Sequence, residues 1–278
     1  MNKTLSLASL LLLAACGGGG SDGPAPTPVA GPTATAPASN SPSTPSANPA
    51  TGPVSGYTLH SYDDGTGHGT REISRGPLSG GDLNTLRLNG RDYQIKVPGL
   101  KADPDNHGLL SHEDGNRETK RLVARQLIPG LRYSQVGAIT FGRDFDRSGF
   151  WYYIDNHYFH QGLTPGALPS GRARYEGTAY LSSYGDGDLN NTRAGAHFDV
   201  DFNAKTLSGR LDNRVELDYD DIRDGFSFTG TIQGTGFSAH QDKIFYSGGF
   251  YGPNAEELGG FMRHDEDKVS GFFAAHKQ

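Results

Sequence analysis

Apolar and polar residues alternate one by one through much of the second half of this chain. In "AGAHFDVDFNAKTLSGRL", Ala194, Ala196, Phe198, Val200 and Phe202 share one face, while His197, Asp199 and Asp201 share the other. Asn203-Ala204-Lys205 then turns the chain into a strand carrying Leu207, Gly209 and Leu211, so the stretch predicts a hairpin with a wet and a dry face. "RARYEGTAYL" precedes it, and "VELDYDDI", "FSFTGTIQGTGFSA", "KIFYSGGFYG", "LGGFMRH" and "VSGFFAAHKQ" follow at short spacing. Together they predict about eight strands over Arg172–Gln278, a count suited to a small antiparallel barrel filled by its own side chains.

The first half is less regular. "DLNTLRLNGRDYQIKV" predicts a hairpin around Asn89-Gly90, and "LRYSQVGAITFGRD" and "SGFWYYIDNHYF" predict two more strands. "ETKRLVARQL" fits a short helix and a strand equally well. Residues 62–80 and 102–116 read as charged, glycine-rich loops. "GLTPGALPSGR", with two prolines and no period, marks a boundary. The expected fold is therefore all-β: an irregular subdomain over residues 57–167, then an eight-stranded antiparallel barrel over 168–278.

"FYGPNAEELGGFM", residues 250–262, interrupts this pattern with two adjacent glutamates. Pro253 suits the first turn of a helix, and Glu256 and Glu257 suit the positive end of its peptide dipoles. The segment thus predicts a one-turn helical joint between strands, a structural role that competes with an acid/base pair.

Composition changes the picture at the beginning of the chain. "MNKTLSLASLLLLAAC" has a cationic start, an apolar run over Leu5–Leu13 and small residues at Ala14-Ala15, which is a secretory signal too short to span a membrane. Cys16, the only cysteine among 278 residues, follows at once. Leu13-Ala14-Ala15-Cys16 resembles a bacterial lipobox, which implies lipidation of Cys16 and attachment to the outer membrane. Residues 17–56 hold nine of the sixteen prolines and one charge, Asp22, and predict a disordered tether. A flexible chain of that length spans on the order of 35 Å. Loss of Lys3 with the signal takes the net charge from −6 to −7, and no basic patch argues for nucleic acid.

The candidate chemistry is sparse. Ten histidines invite a haem reading, with His107 and His112 in one polar stretch and His157 and His160 in another, beside Trp151, Tyr152, Tyr153, Tyr158 and Phe159. Three residues apart on an extended chain, His157 and His160 point to opposite faces and do not share one tetrahedral ion. "DGDLNN" starts like a calcium loop but has Asn191 where glycine is needed and His197 where the bidentate glutamate belongs. There is no Gly-x-Ser-x-Gly elbow, phosphate loop or triad spacing, so no enzyme is expected. Twenty-seven Tyr and Phe residues (13 and 14) offer anchors for a protein partner as well as core.

Six segments carry a family resemblance. "SGGFYGPNAEELGGFM" and the terminal "GFFAAHKQ" resemble the closing strands of barrels in bacterial surface lipoproteins of the transferrin-binding protein B, factor H binding protein and Neisserial heparin-binding antigen type. "LPSGRARYEGTAYL" resembles the way those barrels begin, and "HFDVDFNAKTLSGRL" their second hairpin. "GDLNTLRLNG" resembles part of their N-terminal subdomain, and "CGGGGS" the start of mature members. The resemblance implies a single handle-barrel lobe, exposed on the cell surface, that binds a host macromolecule such as an iron or haem carrier or a complement regulator. Direct haem capture and a purely structural or adhesive role are the alternatives. The arginine-rich tract of the heparin-binding members is absent.

Overall fold

The computed structural model describes residues 54–63, 71–79, 82–104, 108–116, 121–143, 154–185, 188–212, 214–216, 222–264 and 269–278. His107, Trp151, Tyr152 and Tyr153 lie outside these residues, as do Cys16 and most of the tether. Nineteen strands follow one another: β1 (Val54–Asp63), β2 (Arg71–Ser79), β3 (Thr85–Leu88), β4 (Arg91–Gln94), β5 (Lys101–Asp103), β6 (Leu109–Asn116), β7 (Arg121–Leu127), β8 (Ser134–Arg143) and β9 (Ile154–Leu163) precede the barrel. Then come β10 (Arg172–Gly185), β11 (Asp188–Asp201), β12 (Thr206–Leu211), β13 (Arg214–Glu216), β14 (Ile222–Arg223), β15 (Phe226–Gln233), β16 (Gly236–Gln241), β17 (Ile244–Tyr251), β18 (Glu257–His264) and β19 (Val269–Lys277). No helix occurs among the described residues.

The second half closes as expected. Strand order β10-β19-β18-β17-β16-β15-β12-β11 returns to β10, which pairs with β11 from Arg172↔Asp201 to Gly185↔Asp188. This makes an eight-stranded antiparallel barrel, with β13 and β14 as a flap beside β11. Strict alternation is visible in β12, where Leu207, Gly209 and Leu211 are buried and Thr206, Ser208 and Arg210 are exposed. Inside, Tyr175, Phe198, Phe228, Tyr246, Phe250 and Phe273 fill the lumen. Phe228 and Tyr246 stack there with centroids 3.7 Å apart. Burying each such side chain contributes about 1.5–3 kcal/mol, which substitutes for any disulfide.

The first half is a seven-stranded antiparallel sheet, order β2-β1-β9-β8-β7-β6-β5, with the β3–β4 hairpin separate. Asn89 and Gly90 turn that hairpin with φ of 50° and 75°, the left-handed pair that a two-residue connection requires. Its Leu86 and Leu88, with Ile95 just beyond, cover Leu127, Ile139 and Phe159 on one sheet face. The opposite face presents Leu59, Val136, Ala138 and Tyr158 to Tyr180, Phe261, Phe272 and Ala274 on the barrel.

Several expectations are corrected here. Most of residues 71–79 and 109–116, read as loop, form strands β2 and β6. Their sequences, "REISRGPLS" and "LLSHEDGN", lack alternation because β2 is an edge strand and β6 carries a polar outer face. β7 resolves the ambiguous "ETKRLVARQL" as a strand, and β1 begins at Val54, inside the segment read as tether. Residues Gly252–Ala255 form a tight turn with φ of 87° at Gly252 and 56° at Ala255, not a helical turn, and Glu257 already belongs to β18.

Candidate binding surface

The position of every functional candidate depends on how the sheet meets the barrel. At one end, the Glu257 carboxylate is buried and accepts three bonds from the turn before β8. The Arg132 N–H donates at 2.6 Å, the Tyr133 N–H at 3.1 Å and the Ser134 hydroxyl at 2.7 Å. A carboxylate satisfied in this way is a latch, and charge-assisted bonds of this kind contribute about 1.5–3 kcal/mol. Glu256 instead accepts from the N–H and side-chain amide of Asn254 within the turn. Midway along the contact, Gly259 passes so close to β8 that a Cβ there would lie 2.4 Å from Val136 Cγ2. Tyr251 meets His160 through a hydrogen bond between its hydroxyl and Nδ1, and burial pushes the His160 imidazole down to about 3.

The other ends of these strands lie at the opposite end of the sheet and barrel. Register pairs Asp63 with Ile154, Arg121 with Arg143 and Asn116 with Arg121 in the sheet, and Gly185 with Asp188 and His264 with Val269 in the barrel. Because Glu257, Tyr133 and Gly162 mark the latched end, these strand ends gather at the other. The chain leaves them for the segments 64–70, 117–120, 144–153, 186–187 and 265–268. By sequence each of these carries at least one acidic residue, and one of them, "DFDRSGFWYY", is rich in aromatics.

The three haem candidates among the described residues, His112, His157 and His160, do not converge. His157 and His160 stand on opposite faces of β9, as their spacing predicted. His160 faces the barrel beside Phe261, and His157 faces the hairpin side beside Phe141. His112 shares the face of His157, but β7 and β8 separate them, and its Nε2 contacts Asp114 at 3.0 Å. His107 is outside the described residues. His157 stacks instead on His60, a residue that composition and spacing gave no reason to single out. The ring centroids are 4.2 Å apart and the planes 12° from parallel. Burial chiefly, and the neighbouring His60 charge next, push His157 down to about 4, against the pull of Asp155. In stacked rings the lone pairs lie in parallel planes and do not converge on one ion. Among the described residues, no group of three or more His, Cys, Asp or Glu side chains is set to hold a metal.

The barrel wall away from the sheet is coated with charge. Arg172 pairs with Asp201 at 2.9 Å, Arg174 with Asp199 at 3.0 Å and Arg210 with Asp212 at 2.8 Å. Ser208 and Thr229 line the floor of two adjoining open hollows of about 480 and 630 Å³. A lipid-facing barrel has the reverse polarity, apolar outside and polar within.

The sheet is latched to a barrel whose lumen is filled by side chains and whose far wall carries charge. Residues 168–277 match the family described as the C-lobe and N-lobe beta barrels of Tf-binding protein B, so this part of the chain is a barrel of the transferrin-binding protein B kind. An uncharacterised protein of Haemophilus influenzae is 31% identical over 70% of this chain and 66% of its own length. Transferrin-binding protein B of Moraxella catarrhalis is 32% identical over 40% of this chain, but only 19% of that protein is covered. A double-mutant transferrin-binding protein B from Haemophilus parasuis shares the fold, with a TM-score of 0.52 and 24% identity over 80% of this chain and 45% of that one. The chain thus spans less than two thirds of each of these relatives.

Proposed function

We propose that this protein is a non-catalytic outer-membrane lipoprotein, anchored through Cys16 and exposed on the cell surface, whose lobe captures a host protein. The observation that carries this reading is the sheet latched to a barrel that matches the transferrin-binding protein B barrels. Rigid aromatic side chains dominate the energy of protein interfaces, and the single tryptophan, Trp151, falls in the segment 144–153. The tether of residues 17–53 supplies the reach needed to carry such a lobe away from a membrane. A host iron carrier of the transferrin kind is the first ligand to test, because relatives bear that name.

The test is capture of serum proteins on the immobilised full chain, followed by binding titration with purified transferrin. Trp151→Ala is expected to weaken capture at least tenfold without changing thermal stability. Retention of no serum protein by the folded wild-type chain would sink the reading.

A further inference from the structure

Two rows of side chains cross the hairpin-side face of the sheet near the end away from Glu257. Register sets Ser74, His60, His157, Ile139, Arg125 and His112 in one row, and Tyr62, Asp155, Phe141, Val123 and Asp114 in the next, with Arg71 opposite Tyr62. His60 and His157 are therefore direct cross-strand partners, and their rings lie flat on one another. Phe141 closes an edge of His157 at 5.6 Å, and Tyr93 of the hairpin packs on Phe141 at 4.9 Å. Asp155 contacts His60 Nε2 at 3.0 Å, one carboxylate beside two imidazoles. Asp114, further along the row, is engaged by Arg125 at 3.3 Å and by His112 at 3.0 Å. His157 is 6% exposed, and its Nδ1 is buried without a hydrogen-bond partner.

This arrangement accepts one proton and not two. The one carboxylate beside the pair, Asp155, can balance a single positive charge on it. A second proton, on His157, sets two cations face to face and leaves a buried N–H with no acceptor, so neither repulsion nor desolvation is compensated. We propose that the His60–His157 stack is an acid-sensitive pin that holds together the ends of β1 and β9, and that double protonation releases these ends. Any consequence for host-protein binding rests on the proposed function, whereas the pin does not.

Hydrogen–deuterium exchange of the full chain between pH 7.5 and 3.5, corrected for intrinsic rates, tests the pin. Amides of residues 58–62 and 154–158 are expected to exchange about tenfold faster in acid while β18 stays protected. His157→Gln is expected to abolish that acceleration. If this variant fails to fold, His60→Gln carries the test: it leaves a lone imidazole, and the opening should move to lower pH. Opening of the wild-type ends only together with the barrel, or unchanged acceleration in the folded variants, would overturn the proposal. Serum capture is measured alongside. Absence of capture at every pH, with the expected exchange pattern, would remove the binding reading and leave the pin standing.

Discussion

Glu257 looks dispensable in the sequence, one of two adjacent glutamates after a turn, yet it bonds three groups more than 120 residues away. Glu257→Gln keeps the shape but turns an amide NH₂ toward donors, and should destabilise the fold by about 2 kcal/mol in urea unfolding. Glu256→Gln, acting only within its own turn, should change stability far less. His160 makes a second residue-level prediction. Its imidazole is held at about 3 by burial, so the folded protein refuses a proton that the unfolded chain accepts near 6.5. Its contribution is therefore fully present above about pH 6.5 and is lost as pH falls toward 3. His160→Gln should flatten the fall in denaturant midpoint across that window, checked by unfolding curves at pH 7 and pH 4.5.

At the scale of elements, what was legible in the sequence follows from what each strand separates. β10, β11, β12 and β15 divide a filled lumen from water, so their alternation survives in plain view. β17, β18 and β19 are buried on both faces, by lumen and by sheet, and read as continuous apolar runs. β2 and β6 were missed because an edge or a polar face removes the signal. The latch and the His60–His157 stack were not legible, since both depend on register between strands and no local pattern records it. The close crossing of β18 and β8 is testable in the same terms. Gly259→Ala forces a methyl group onto Val136 and should cost about 2 kcal/mol. Gly76→Ala on β2 meets nothing within 4 Å and should be neutral to within about 0.5 kcal/mol, by thermal unfolding.

The whole molecule separates two tasks between its ends. One end is fixed by Glu257 and its bonds to the turn before β8, and the other offers the strand connections. The charge-coated wall has the opposite polarity to a lipid-facing barrel, and the proposed attachment through Cys16 can be tested directly. Cys16→Ser should shift the protein from the detergent phase to the aqueous phase in phase partitioning while its circular dichroism stays unchanged.

Barrel closure also sets an order of events. β10 pairs with β11 immediately after it, but its other neighbour is β19, from Tyr175↔Lys277 to Ser183↔Val269. Nearly a hundred residues must pass before that second edge is covered. The barrel therefore keeps an open sheet edge until Val269–Lys277 pairs with β10, so closure rests on the barrel strand most distant from β10 along the chain.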